Sequence, residues 1–253
     1  MWAPKKSRWI RYRLQESPTF VHLEEQEQVA EHPLRNLMKN SPKKVLVGIG
    51  LRMAENGGSY LFQTLAVSFA VTAGISKSAG ALAVAISAVV SIFTVPWTGH
   101  LSDRYGRVPV YRIGALLMMI YAFPAWYLLS LGNPVIVTVV ITVTISLGVA
   151  VMLGPQCALL PELFGNRRRY IGVAVSREVS AVLAGGLAPV IGAGLLANTG
   201  DSWLPIAIYV LVLAAITFAT TFATPETKGR DLTSLEEATR LDTPETPIIG
   251  VQA

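Results

Sequence analysis

The sequence predicts an all-α integral membrane protein with six transmembrane helices, and three observations carry that prediction. The 253 residues are 52% hydrophobic and only 15% charged, against about 25% charged in average soluble domains. Stretches without Asp, Glu, Lys or Arg run over Ser78–Ser102, Ile113–Pro161, Val179–Gly200 and Ser202–Pro225. A helix needs about 20 apolar residues to cross a hydrocarbon core, so each stretch is long enough to span. The basic residues, finally, fall on alternate connections between these stretches.

The spans follow in order. The first, 45–70, begins after Lys43-Lys44 and is the only one whose interior is rich in polar groups. The second covers 79–99. The stretch Ile113–Pro161 holds two spans, 110–131 and 134–156, because Leu131-Gly132-Asn133-Pro134 is a turn signal. As one helix it would be about 70 Å long, more than twice a bilayer core. The fifth span, 171–197, follows Arg167-Arg168-Arg169, and the sixth, 203–223, runs from Trp203 to the Pro225 breaker. The runs lack the apolar/polar alternation of barrel strands. Spans 3 and 6, poorest in polar side chains, are expected to face lipid. Trp126, Tyr127 and Trp203 at outer ends and Trp97 at an inner end are expected to form aromatic belts.

Of 21 Lys and Arg, nine lie in 1–44; Arg104, Arg107 and Arg112 follow span 2, Arg167–Arg169 follow span 4, and Lys228, Arg230 and Arg240 lie in the tail. Lys77 is alone on the other side. The positive-inside rule therefore puts both termini in the cytoplasm. The net charge of +5 is thus a topology signal, and no nucleic-acid partner is expected. A single cysteine, Cys157, excludes a disulfide framework and a multi-cysteine metal site. The first residues are basic but lead into polar sequence rather than the apolar core of a signal peptide. Residues 15–32 are acidic and polar, with a short helix expected after Ser17-Pro18, and the tail 225–253 is rich in Pro, Thr and Glu.

Charges inside spans mark the chemistry, since each costs at least about 2.5–3.5 kcal/mol on insertion scales and seeks a partner or a wet cavity. Arg52 and Glu55 share one face of span 1, which Asn56, Ser59 and Gln63 continue. Two readings stand: a solute pathway in which Arg52 attracts an anion and Glu55 carries a proton, or an intrahelical ion pair near the cytoplasmic end. Arg177 and Glu178 in span 5 point about 100° apart, so they serve different neighbours, with snorkelling of Arg177 as the alternative. Beyond them Gly185, Gly186, Pro189, Gly192 and Gly194 predict close packing and a bend. Thr138, Thr142 and Ser146 form a hydroxyl stripe on span 4, available to a solute or to their own helix carbonyls. Intramembrane hydrolysis needs a nucleophile and a base. His22, His32 and His100 lie outside span interiors and no span contains Asp, so no enzyme is expected.

After span 2 comes Gly99-His-Leu-Ser-Asp103-Arg104-Tyr-Gly106-Arg107, read as a loop whose carboxylate suits a helix N-terminus and whose arginines suit helix C-termini. This pattern resembles the cytoplasmic-loop motif of the major facilitator superfamily, in the copy between helices eight and nine. Pro161-Glu162 with Arg169 resembles the superfamily's Glu-x6-Arg spacing after helix ten, and Pro225-Glu-Thr-Lys-Gly229 its ending. Arg11-Tyr-Arg-Leu-Gln-Glu16-Ser-Pro18-Thr-Phe20, Pro161-Glu-Leu-Phe164 and Arg177-Glu178 look most like the metabolite:proton symporters.

The resemblance covers about residues 9–232. It implies one half of a major facilitator fold, helices seven to twelve: a cytoplasmic central-loop segment 1–44, a six-helix bundle 45–224 and a cytoplasmic tail 225–253. It implies a bacterial inner-membrane protein and proton-coupled uptake of a small organic acid or zwitterion, with the proton as coupling ion and no cofactor. Solute in that superfamily binds between two six-helix halves that rock, so the resemblance also implies a partner, an N-terminal half or a second copy. The motif residues Gly99, Asp103, Arg104, Gly106, Arg107, Glu162 and Arg169 would gate the cytoplasmic mouth. A membrane module acting as partner subunit or channel, without transport of its own, is the alternative.

Overall fold

The computed structural model describes residues 33–200, 202–230 and 238. The helix expected after Ser17-Pro18, the Arg11–Phe20 segment and Arg240 lie outside the described residues. Among these residues there is no strand. A short helix α1, Pro33–Asn40, is separated by Ser41 alone from α2, which begins at Pro42–Tyr60. Pro42 suits the first helical turn, where its missing N–H is not needed. The helix α2 passes through a π turn at Leu61–Leu65 into Ala66–Thr72. Next come α3, Lys77–Tyr105, and α4, Arg107–Leu129. The helix α5 spans Pro134–Leu163, α6 Arg169–Asn198 and α7 Leu204–Ala223. Five of them, α3 to α7, are long and apolar enough to cross a membrane. In α2 the polar set Arg52, Glu55, Asn56, Gln63 and Thr64 dilutes the apolar content.

The helices overrun the predicted spans at the expected cytoplasmic end. Helix α3 continues six residues past 99 to Tyr105, and α5 continues seven past 156 to Leu163. Charge marks where a segment leaves hydrocarbon, but a helical backbone satisfies itself in water as well as in lipid. Gly99–Tyr105, read as a loop, is therefore the end of α3. The connection to α4 is one residue, Gly106, at φ +108°. At the opposite end, within the turn that the sequence signal predicted, Asn133 caps α5 by accepting from the Val135 and Ile136 amides at 2.9 and 3.3 Å.

In the bundle α7 packs on α4 and α2, α3 on α5, α5 on α4, and α6 on α2. Two expectations fail here. The apolar windows of α4 and α7, the supposed lipid-facing pair, are 44% and 39% buried, against 17% for α3 and 28% for α6. Poverty in polar side chains does not select the lipid-facing helices, because lipid is as apolar as the packed interior and close fit decides which helices are covered. Trp126 is no belt residue: it is fully buried, its ring 5.4 Å from Phe62 and 5.8 Å from Phe69. Tyr127 and Trp203 are on the surface side and meet each other edge-on at 5.6 Å. A second π turn interrupts α5 at Thr144–Val149, and a third interrupts α6 at Ala181–Gly186.

Candidate functional site: a buried charge cluster and a polar clasp

Arg52, Glu55 and Asn56 turn inward from α2 and are 8%, 7% and 7% exposed. Arg52 Nη2 lies 2.9 Å from Glu55 Oε2, and the pair is one turn of helix apart as the spacing requires. The rest of the guanidinium is held by neutral groups: Nη1 donates to Gln156 Oε1 at 2.5 Å and Nη2 to Asn56 Oδ1 at 3.3 Å. Asn56 in turn donates to Ser180 Oγ at 2.8 Å, linking α2 to α6. Gln156 donates to the Tyr111 hydroxyl at 3.2 Å, linking α5 to α4. Arg52 Nε is buried without a hydrogen-bond partner.

The other pathway residues lie elsewhere. Gln63 is exposed on the π turn of α2, and Ser59 is half-buried. Arg177 and Glu178 are exposed on α6, with their side chains 4.0 Å apart, at the limit of an ion pair. Long side chains close the 100° gap between adjacent positions, and Arg177 also lies near enough to Glu55 on α2 to act on its charge. Of the hydroxyl stripe, Thr138 bonds back to the Pro134 carbonyl at 2.9 Å, while Thr142 and Ser146 have buried oxygens without partners. In α6 the predicted bend region coincides with the π turn. Pro189 has no N–H for the Gly185 carbonyl four residues back, and the π turn ends at Gly186. A Cβ at Gly185 would lie 2.7 Å from the Tyr60 ring, and one at Gly192 2.2 Å from a Leu65 methyl. Gly186 has ordinary space and Gly194 is open.

The motif residues gather at the α3–α4 junction with the segment after α7. Asp103 does not sit at a helix N-terminus. It ends α3 and pairs with Arg107 four residues on. The carboxylate at the start of α4 is that of Glu226, which accepts from the amides of Arg107 at 2.8 Å and Val108 at 3.1 Å. It also accepts from its own neighbours Thr227 and Lys228, at 3.0 Å each. Arg107 bonds Ser102 Oγ at 3.0 Å and faces Glu162 at 3.4 Å. Glu162 accepts from the Thr227 hydroxyl at 2.6 Å. Arg169 Nε donates to the Pro161 carbonyl at 2.9 Å. Lys228 Nζ caps α3 by donating to the Arg104 carbonyl at 2.7 Å, and the Arg104 guanidinium lies over the Tyr105 ring. Gly99 faces the Gly154 carbonyl across the α3–α5 crossing. The three motifs, far apart in sequence, thus form one clasp.

The clasp makes a prediction. Replacing Glu226 by alanine strips a helix N-terminus of its acceptor, a loss of about 0.5–2 kcal/mol. The segment after Thr224 should then be cut faster by protease, with α2–α7 unaffected; unchanged cleavage would show that Glu226 does not hold the segment.

A family model described as "Sugar (and other) transporter" matches residues 10–239. The chain belongs to the sugar (and other) transporter family. This family is part of the major facilitator superfamily. The chain is 30% identical to the putative transporter YdfJ of Escherichia coli, over 91% of this chain and 54% of that protein. It is 31% identical to the ectoine/proline transporter ProP of Corynebacterium glutamicum, over 82% of this chain and 43% of that one. It is 26% identical to the Escherichia coli shikimate transporter, over 80% and 47%. The fold matches the proton:xylose symporter XylE with a TM-score of 0.58 at 22% identity, covering 86% of this chain and 46% of that one. The chain spans about half the length of the curated relatives it matches. Its family membership and apolar helices make it a multi-pass membrane protein.

Sequence reasoning found Arg52, Glu55 and Asn56 because charge in an apolar run is conspicuous. It missed Gln156 and Tyr111, and it met Glu226 only as part of the Pro225–Gly229 motif, without its role. Gln156 is the sole charged-or-amide side chain between Ile113 and Pro161 apart from Asn133, and that isolation was a usable signal. Nothing local marks Tyr111 or the capping role of Glu226.

Proposed function

We propose that this chain is one half of a proton-coupled transporter for a small organic carboxylate or zwitterion. Six helices, α2 to α7, cross the bacterial inner membrane, with both ends of the chain in the cytoplasm. The observation that carries this reading is the buried Arg52–Glu55 pair, whose guanidinium is otherwise hydrogen-bonded only to the neutral Gln156 and Asn56. A solute carboxylate competes with Glu55 for the guanidinium, which offers a planar fork suited to carboxylates. Glu55, once deprived of its cation in a poorly solvated place, takes up a proton. Loss of the solute reverses both steps, so solute and proton move together. The family and the names of the relatives, ectoine, proline and shikimate transporters among them, support the substrate class. The clasp at Arg107, Glu162 and Glu226 holds the cytoplasmic ends of α3, α4, α5 and α7 as one body, as a rocking half requires. The complementary surface comes from a second six-helix bundle.

Reconstitution tests this. In proteoliposomes with an inward proton gradient, the chain alone is expected to take up no labelled proline, betaine, shikimate or 2-oxoglutarate above empty vesicles. With a complementary six-helix half from a relative, uptake is expected and should collapse when the gradient is dissipated. Gradient-dependent uptake by the chain alone would overturn the need for a separate half and show that a second copy supplies the complementary surface. Uptake indifferent to the gradient would overturn proton coupling.

A further inference from the structure

The charged pair is strapped to the backbone of the helix that bears it. Arg52 Nη1 donates to Gln156, Gln156 Nε2 donates to the Tyr111 hydroxyl, and that hydroxyl donates to the Leu51 carbonyl at 2.6 Å. The path leaves α2 at Arg52, crosses α5 and α4, and returns to α2 one residue earlier. Gln156 and Tyr111 are 3% and 0% exposed, so water does not compete with them. At the same level α7 intrudes on α2. The Thr217 hydroxyl donates to the Gly50 carbonyl and accepts from the Ala54 amide, both at 2.9 Å. In a regular helix those two groups bond each other, four residues apart. A hydroxyl that bonds both groups competes with that ladder bond, and full insertion of a side chain there is one of the few identifiable causes of a bend. The helix is light just beyond it, at Gly57-Gly58, and reaches its π turn at Leu61.

We propose that Tyr111 and Gln156 are positioning residues that tie the Arg52 guanidinium to the backbone of α2, and that Thr217 marks the hinge on which α2 bends when Arg52 changes partner. This rests on the reading above, in which an anion draws Arg52 away from Glu55. When Arg52 turns, Gln156 loses its donor, Tyr111 loses the group that orients it, and the Leu51 carbonyl is released. Helix α2 is then free to bend at Gly50–Ala54. Occupation of the site is thereby converted into the shape of a helix without any contact between solute and hinge.

The hinge can be tested without a solute. Hydrogen exchange of the α2 amides from 52 to 58 would be followed in the purified chain in lipid nanodiscs. Tyr111→Phe is expected to raise exchange there about tenfold, the factor one hydrogen bond of local stability supplies. Gln156→Met, which removes the link between Arg52 and the Tyr111 hydroxyl, should do the same. The two together should equal either alone, because both cut one strap. Thr217→Val should also raise exchange at Ala54, and Thr217→Ser should restore it. Multiplying effects in the double variant, or a rise spread evenly over all helices, would overturn the strap. A failure of the transport reading would show differently: 2-oxoglutarate, shikimate, proline and betaine would all leave exchange and thermal stability unchanged while the non-additivity stands.

Discussion

Replacing Arg52 by leucine should lower the stability of the bundle by about 3–5 kcal/mol, the usual result of leaving one member of a buried pair without the other. Glu55 would remain in a site that is 7% exposed, facing no cation on its own helix. Gln156 and Asn56 would each lose the donor they now accept from, at 2.5 and 3.3 Å. The double variant Arg52→Leu/Glu55→Leu should recover most of the loss, since desolvating two charges offsets much of their attraction and apolar replacements of similar volume are often neutral. Arg52→Lys should fall between, because an ammonium keeps the charge but not the planar fork that serves Glu55, Gln156 and Asn56 together. Equilibrium unfolding in mixed micelles measures all three. If the double variant is as stable as the parent while solute binding is gone, the pair is present for its chemistry and not for the fold. If the single variant is neutral, the pair is solvated and the proposed exchange of partners has no driving force.

That pair also shows where sequence is informative and where it is not. Arg52 and Glu55 stand out because a charge within an apolar run is costly wherever the run ends up. Their spacing of three also fixes a shared face before any neighbour is known. Tyr111 carries no such mark, and Gln156 carries only its isolation, which names no partner. A lone amide or phenol in an apolar helix is satisfied by whichever group tertiary packing brings to it, and here those groups come from 104 and 60 residues away. The Gly99–Arg107 motif illustrates the same limit. Its residue types announced a helix junction, yet the carboxylate at that junction is Glu226, 119 residues on from Arg107. Asp103 and Glu226 are chemically equivalent candidates in sequence, and only the geometry of a one-residue connection decides between them. Trp126 errs in the opposite direction: tryptophan at a span end usually marks an interface, but Phe62 and Phe69 bring α2 over it. For five of the six predicted spans, existence depended on local composition and was legible. Which face each span buries depended on neighbours and was not.

Gly154→Ala should be the most damaging change that adds only a methyl group. A Cβ at that position would lie 2.2 Å from Thr98 Oγ1, 2.7 Å from the Gly99 amide nitrogen and 2.7 Å from the Val95 carbonyl oxygen. Two of those three atoms are backbone of α3, so no rotamer change relieves them; α3 and α5 must separate. Overpacking of this kind costs about 1–3 kcal/mol and occasionally more. Gly58 is the contrast. There a Cβ would meet the terminal methyl of Met118 at 2.0 Å, a closer approach on paper. Methionine side chains are flexible and readjust, so Gly58→Ala should lose far less. The consequence of Gly154→Ala reaches beyond the crossing, because α3 carries Ser102 and Asp103 and α5 carries Glu162, the groups that surround Arg107. Moving the two helices apart pulls the clasp from both sides. Thermal unfolding in detergent should therefore fall for Gly154→Ala and hardly move for Gly58→Ala. The protease sensitivity after Thr224 expected of Glu226→Ala should reappear in Gly154→Ala with Glu226 intact. Equal losses at the two glycines would mean that crowding by distance alone, and not by backbone, sets the cost. Lost stability without loosening of the tail would mean that the crossing and the clasp are mechanically separate.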